Sequence, residues 1–241
     1  MKKQIVPLVV SFLGLLAVAC MGLVKSTESD RIRVLIIDGR NNHNWKDTTP
    51  FLKAQLEGTG KFEVSVATTP PNGAKAEEWN NFKPDFAKCD VVLSNYNGSK
   101  WEPESVRESF ESFLNEGGAL VNVHAANNAH QGWNSFEEAT GLLWRGNKDG
   151  ARLYLDQLGK LMTVKIGEGR GAGHGPQHEY VVKMRDQEHP ITRGIPKEWL
   201  HGKDELYHGQ RGPAKNMKIL ATAFSDSKKG EIGRASCRER V

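Results

Sequence analysis

Seven consecutive residues, Arg31 to Ile37 (RIRVLII), place the tightest constraint on this chain, because apolar and β-branched side chains fall on both faces of any strand they form. Such a strand has to lie in a sheet covered on both sides, which is the setting of a parallel sheet in an α/β protein. Asp38-Gly39 then ends it in a loop. The pattern repeats downstream. Thr48 to Leu56 predicts a helix with Phe51, Leu52 and Leu56 on one face and Gly58 and Gly60 closing it, and Phe62 to Ala67 (FEVSVA) alternates as a second strand. Pro70-Pro71-Asn72-Gly73 breaks the chain before a short helix with loop over Glu77 to Phe86 and a third strand, Cys89 to Ser94. Glu104 to Leu114 is amphipathic through Val106, Phe110, Phe113 and Leu114, with Pro103 at its start and Gly117-Gly118 at its end, and Ala119 to Val123 supplies a fourth strand. Strands alternating with helices imply a doubly wound, mainly parallel sheet with helices on both faces.

Beyond Val123 the pattern loosens. Phe136 to Leu143 suggests a short helix, while Leu161 to Ile166, Tyr180 to Met184 and Lys218 to Phe224 read as strands. Gly167 to Gln177 (GEGRGAGHGPQ) holds five glycines and a proline, so it is a loop or lid.

The two ends read differently from the body. Lys2 and Lys3 precede an apolar stretch, Ile5 to Ala19, and Ala17-Val18-Ala19 offers a cleavage site directly before Cys20, the pattern of a secretory signal over residues 1–19. Pro7 and Gly14 interrupt that stretch, which is too short for a spanning helix. Cleavage before Cys20 would leave a thiol for acylation, as in a bacterial lipobox although Ala17 stands where leucine is usual, with residues 20–30 as the tether. The expectation is therefore export as a periplasmic or outer-membrane lipoprotein, or else a soluble secreted product. Residues 231–241 (EIGRASCRERV) lack apolar periodicity and strand logic and read as translated sequencing adapter, which implies a body of 31–230 that is truncated at its C-terminal end.

The formal charge of +4 resides mostly in those two ends, so the near-neutral body carries no electrostatic footprint for nucleic acid. Any membrane contact would come through the lipid anchor alone. Three cysteines in 241 residues exclude a disulfide scaffold.

Ligands of an open parallel sheet gather at the carboxyl ends of its strands. Three polar clusters fall there: Asn41, Asn42, His43 and Trp45 after the first strand, Asn95, Tyr96 and Asn97 after the third, and His124, Asn127, Asn128 and His130 after the fourth. His124 either moves a proton at the crevice or caps its strand by hydrogen bonding, two readings that spacing alone leaves equal. His174 and His178 are four apart, yet Gly175 and Pro176 forbid the helix that would align them for zinc. A divalent metal held by loop residues, namely His43, His124 and His178 or His174, stays open. Asp204 and Glu205, ahead of Tyr207, could hold a general base or grip sugar hydroxyls, or Asp204 could simply cap a helix and His189-Pro190 punctuate a turn. The G-x-S-x-G elbow, the P-loop and the G-x-G-x-x-G turn do not occur, and Cys89 with its apolar neighbours reads as a structural thiol.

The segments VLIIDGRNNHNW (34–45), GGALVNVHAANN (117–128), HGPQHEYVVKMRDQEHPITRGIP (174–196) and DELYH (204–208) together resemble the ThuA-like family, named for trehalose utilisation. The resemblance covers essentially all of 31–230. It implies a flavodoxin-like three-layer fold of the class I glutamine-amidotransferase type and a role in carbohydrate metabolism. His124-Ala125 stands where the amidotransferase relatives carry a cysteine, so glutamine hydrolysis is not expected. The family also tends to end with a further strand and a Gly-His pair, which this sequence stops short of.

These readings lead to an exported enzyme acting on a sugar or keto-sugar derivative, by isomerisation or glycoside hydrolysis. His124 would transfer the proton with Asp204 or Glu205 as partner, and Asn42, His43, Trp45, Asn95, Asn127 and Tyr207 would bind substrate. Two rivals accompany it. One is a non-catalytic carbohydrate-binding lipoprotein using Trp45, Trp101, Trp133 and Trp144 as stacking faces, and the other a fragment of a larger exported protein. The oligomeric state is left open.

Overall fold

The structure is a computed structural model that describes residues 30–156, 158–226 and 228, together with the backbone of 234–238. The signal sequence and Cys20 lie outside the described residues.

The first strand, β1 (Ile32–Asp38), is buried from Val34 onward, as its apolar run requires. It is followed by α1 (Trp45–Gly58), β2 (Phe62–Thr68), the single turn α2 (Ala76–Trp79), β3 (Val91–Ser94), α3 (Glu104–Asn115) and β4 (Ala119–Asn122). The four strands form one parallel sheet in the order β2-β1-β3-β4, with Val34 between Val64 and Val91 and Ile36 between Val66 and Leu93. Alternation along β1 divides the core in two. Val34 and Ile36 pack with Val64 and Leu93 against Leu52 and Leu56 of α1. Leu35 and Ile37 point the other way into an aromatic core with Trp79, Phe82, Phe86, Tyr96, Trp101, Phe110, Phe113, Trp133 and Phe136. The expected layered α/β arrangement is thus present.

Helix α1 starts three residues before its predicted start and carries Pro50 inside it. The side chain of Phe51, expected on the packed face, is 62% exposed, because the buried stripe runs through Leu52 and Leu56 instead. The short helix with loop expected over 77–86 is the single turn α2 followed by loop, with a separate 3-10 turn at Phe86–Lys88.

The second half does not extend the parallel sheet. After α4 (Asn134–Thr140) come a hairpin of β5 (Arg152–Leu155) and β6 (Leu161–Val164) and an antiparallel sheet. That sheet contains β7 (His178–Met184), β8 (Glu198–Asp204), β9 (Ala221–Ser225) and β10 (Arg234–Arg238) in the order β10-β9-β7-β8. Strand β8 escapes the sequence reading because EWLHGKD is an edge strand with nearly every residue exposed, so no face is selected for apolarity. Asp204 ends this strand and caps no helix. Residues 234–238 pair with β9, Cys237 opposite Thr222, where the sequence shows no strand logic. Backbone hydrogen bonding at an edge needs no side-chain pattern. As expected, no helix covers 167–177.

Candidate active site

Strands β1, β3 and β4 are adjacent and parallel, so the loops leaving their carboxyl ends emerge side by side. Gly39 begins the first of these loops at φ +107°, and a Cβ there would lie 2.5 Å from the Thr69 carbonyl oxygen, so only glycine fits. Asn95, 1% exposed, locks the loops together. Its Nδ2 donates to the hydroxyls of Thr48 and Thr49 on α1, each at 3.0 Å, and its Oδ1 accepts from Asn41 Nδ2 at 3.1 Å. Asn41 Oδ1 in turn accepts the backbone N–H of His43 at 3.0 Å, which fixes where His43 leaves the loop.

From His43 a succession of rings crosses into the second half of the chain. The His43 and His124 rings are 4.7 Å apart, centroid to centroid. His124 meets Tyr207 edge-on at 4.5 Å, and Tyr207 contacts Trp144 at 4.4 Å and stacks on His174 at 5.1 Å with only 12° between the planes. His174 Nε2 faces the Glu205 carboxylate at 3.6 Å, while its Nδ1 lies 2.8 Å from the Gly175 carbonyl oxygen. Two imidazoles therefore flank one phenol, with a carboxylate at the far end.

Two buried arginines hold the loops that carry these rings. Arg145 donates to the carbonyls of Asn128, Ala129 and Trp144 and pairs with Glu137 at 3.0 Å, and its own carbonyl accepts from Ala172. It thereby ties the turn after His124 to the glycine-rich loop that bears His174. Arg211, fully buried, donates to the carbonyls of Gly150, Lys165, Glu168 and Arg170. Gly209, at φ +69°, lets the 206–211 segment pass close to the Gly171 carbonyl, which a Cβ would approach to 2.5 Å. His208 is buried behind this loop, and burial together with Arg152, His174 and Arg170 pushes its pKa down to about 4.

The family model for ThuA, described as trehalose utilisation, matches residues 33–238. The chain belongs to the ThuA family. It is 38% identical to a ThuA-like protein from Parabacteroides merdae ATCC 43184 whose crystal structure superposes with a TM-score of 0.79, covering 86% of this chain and 73% of that one. A second ThuA-like crystal structure, from Bacteroides uniformis ATCC 8492, is 18% identical with a TM-score of 0.53 over 88% of this chain and 76% of that one, a likeness of fold alone. No curated protein matches.

Within this ThuA fold His43, His124, Tyr207 and Glu205 come to one place, and Asn127 lies beside them with its carbonyl accepting from the Trp144 N–H. Asn42 accepts a hydrogen bond from Asn97 at the exposed rim. Four expectations change. Asn95 is a buried strut and offers a substrate nothing, because its carboxamide is spent on Asn41, Thr48 and Thr49. Asp204 turns toward His201, 3.5 Å away, and the contact with the ring succession is made by Glu205 instead.

Trp45 lines a separate open cleft of about 400 Å³ with Asp38, Lys46, Thr49, Pro50, Lys53 and Val66. The trio His43, His124 and His178 does not assemble. His178 opens β7 with its Nδ1 on the Pro176 carbonyl, and among the described residues no three His, Cys, Asp or Glu side chains gather closely enough to hold a metal ion. The donor set accordingly does not fit a divalent cation.

Other residues prove structural. His130 sits in the aromatic core against Tyr96, Trp101, Trp133 and Phe136, where burial drives its pKa down to about 3. Trp101 and Trp133 are buried in that same core and present no stacking face, which leaves Trp144 at the site. The Cys89 thiol is buried, and burial with the nearby Asp90 carboxylate raises it to about 11, as suits a structural cysteine. His189-Pro190 is turn punctuation, organised by Asp186, whose Oδ1 accepts the His189 N–H. Sequence reasoning missed Trp144 as the partner of Tyr207 and gave His174 a role only in metal binding. Glycines on both sides of His174 were the available signal, since they mark a ring carried on an adaptable loop.

Proposed function

We propose that this ThuA-family protein is an exported enzyme of carbohydrate catabolism that acts on a sugar or keto-sugar derivative, with His124 as the proton-transfer group. The observation that carries the reading is the placement of His124 at the carboxyl end of β4, its ring 4.7 Å from His43 and 4.5 Å from Tyr207. A proton moved to or from a carbon or oxygen beside a carbonyl needs a side chain that titrates near neutrality, and imidazole is the one that ordinarily does. Trp144, partly exposed and backed by the buried Tyr207, supplies apolar ring surface of the kind that packs on the C–H face of a sugar, and Asn42 and Asn127 supply donors and acceptors for its hydroxyls.

The test is product analysis on trehalose and its keto derivatives, run in D2O so that proton transfer at carbon registers as deuterium uptake. Wild type should turn over at least one of them and His124→Ala should lose at least a hundredfold in kcat. Equal turnover by the variant overturns the reading. Calorimetric binding without any product would favour a carbohydrate-binding module. Export rests on the 1–19 pattern and lipidation on Cys20, and a Cys20→Ser chain should lose incorporation of a labelled fatty acid.

A further inference from the structure

The two ring nitrogens of His174 face different kinds of acceptor, the Gly175 carbonyl and the Glu205 carboxylate. A carbonyl oxygen can only accept, so the 2.8 Å contact between Nδ1 and the Gly175 oxygen puts the ring proton on Nδ1. In the neutral ring Nε2 is then a lone pair, and it points at a carboxylate that, when ionised, is also only an acceptor. Two acceptors do not bond. Their 3.6 Å separation is longer than a hydrogen bond, and the pair closes into one only when a proton lies on either partner.

Both side chains are about one-third exposed, so a ligand at the surface beside them can reach them, although Tyr207 behind His174 is buried. His174 is also stacked on the phenol ring that His124 meets edge-on. We infer that His174 and Glu205 form a one-proton acid–base unit, the second such group of the site, placed across Tyr207 from His124. The inference rests on the catalytic reading above. In a keto-sugar isomerisation one group takes a proton from the carbon beside the carbonyl as the other gives one to the carbonyl oxygen. The first then delivers its proton to the former carbonyl carbon as the second withdraws one from the neighbouring hydroxyl, so both groups are restored and neither protons nor electrons are left over.

Two measurements on the full chain test it. The first is the nitrogen-15 spectrum of the imidazoles at a pH where His174 is neutral. The expected signature is a proton on Nδ1 and a bare Nε2, and a proton on Nε2 overturns the inference whatever the activity. The second is turnover on the keto-trehalose probe. His174→Ala and Glu205→Gln should each lose about a hundredfold in kcat with KM within about threefold, and added imidazole should restore His174→Ala at least tenfold by taking the place of the missing ring. A merely structural histidine would not respond to imidazole. Unchanged kcat in both variants, or a folded His174→Ala that imidazole fails to rescue, overturns the inference and leaves the role of His124 standing. An inactive wild type overturns both together.

Discussion

The parallel half and the loop-rich second half of this ThuA domain are stabilised by different means. From Arg31 to Leu143 order comes from apolar side chains: β1 is buried on both faces, one face packs on Leu52 and Leu56, and the other on a continuous aromatic core. From Trp144 to Ser225 the buried apolar cluster shrinks to Tyr180, Leu206 and Ala223 with Val182 beside them. Buried arginines supply the deficit by gathering backbone carbonyls, Arg211 above all. The candidate site needs both. Pattern places His43 and His124, and carbonyl clamps place Trp144, His174 and Tyr207.

The sharpest way to break this comparison is to remove a clamp. Arg211→Met strips donors from the Gly150 carbonyl and from three carbonyls in or next to the glycine-rich loop, and leaving these groups unpaired should lower stability by about 3 to 5 kcal/mol, read from denaturant midpoints. Amide exchange should rise over residues 165–175 before it rises in β1. A loss below about 1 kcal/mol would show that the loop holds itself, and the contrast between the halves would collapse.

Acid tests the apolar half. Burial lowers His130 from 6.5 to about 3, so the unfolded chain binds the extra proton between those values and stability falls as the pH drops below about 6.5. Between pH 7 and 5 this one group should remove about 2 kcal/mol. His208 titrates with the same sign and adds to the loss. His130→Asn, which tolerates the positive φ of that position, should be less stable at pH 7 but visibly flatter in its pH dependence. A variant curve with the wild-type slope would refute this assignment.

Smaller still is the effect of the strut between the loops. Asn95→Ala removes the side-chain acceptor of Asn41, which keeps only the residue-95 carbonyl at 3.2 Å, together with the donor to Thr48 and Thr49, and should cost about 1 to 2 kcal/mol. It should also broaden the His43 and His124 resonances. Unchanged spectra would mean that His43 is positioned by something else.

How legible each half was in the sequence follows from the same contrast. RIRVLII, FEVSVA and CDVVLS display their burial in their side chains, so the strands and the crevice at their ends could be read directly. EWLHGKD could not, because an exposed edge strand is selected by backbone pairing and leaves no periodic mark. His124 was legible because a strand aims it, and Tyr207 entered through the family resemblance. Asn95 misled because a polar residue at a strand end looks alike whether its partners are a ligand or two threonine hydroxyls far along the chain. His130 misled in the same way. Six residues after His124 it has turned into the aromatic core, and sequence spacing carries no sign of that reversal.

The central claim is that one site is assembled from both halves. The most direct test is chemical-shift mapping of the full domain, labelled on imidazole and aromatic groups, during titration with trehalose and its keto derivative. The account predicts simultaneous, saturable shifts of His43 and His124 from the first half and of Trp144, His174 and Tyr207 from the second. Shifts confined to one half, such as the Trp45 cleft on α1, would contradict it.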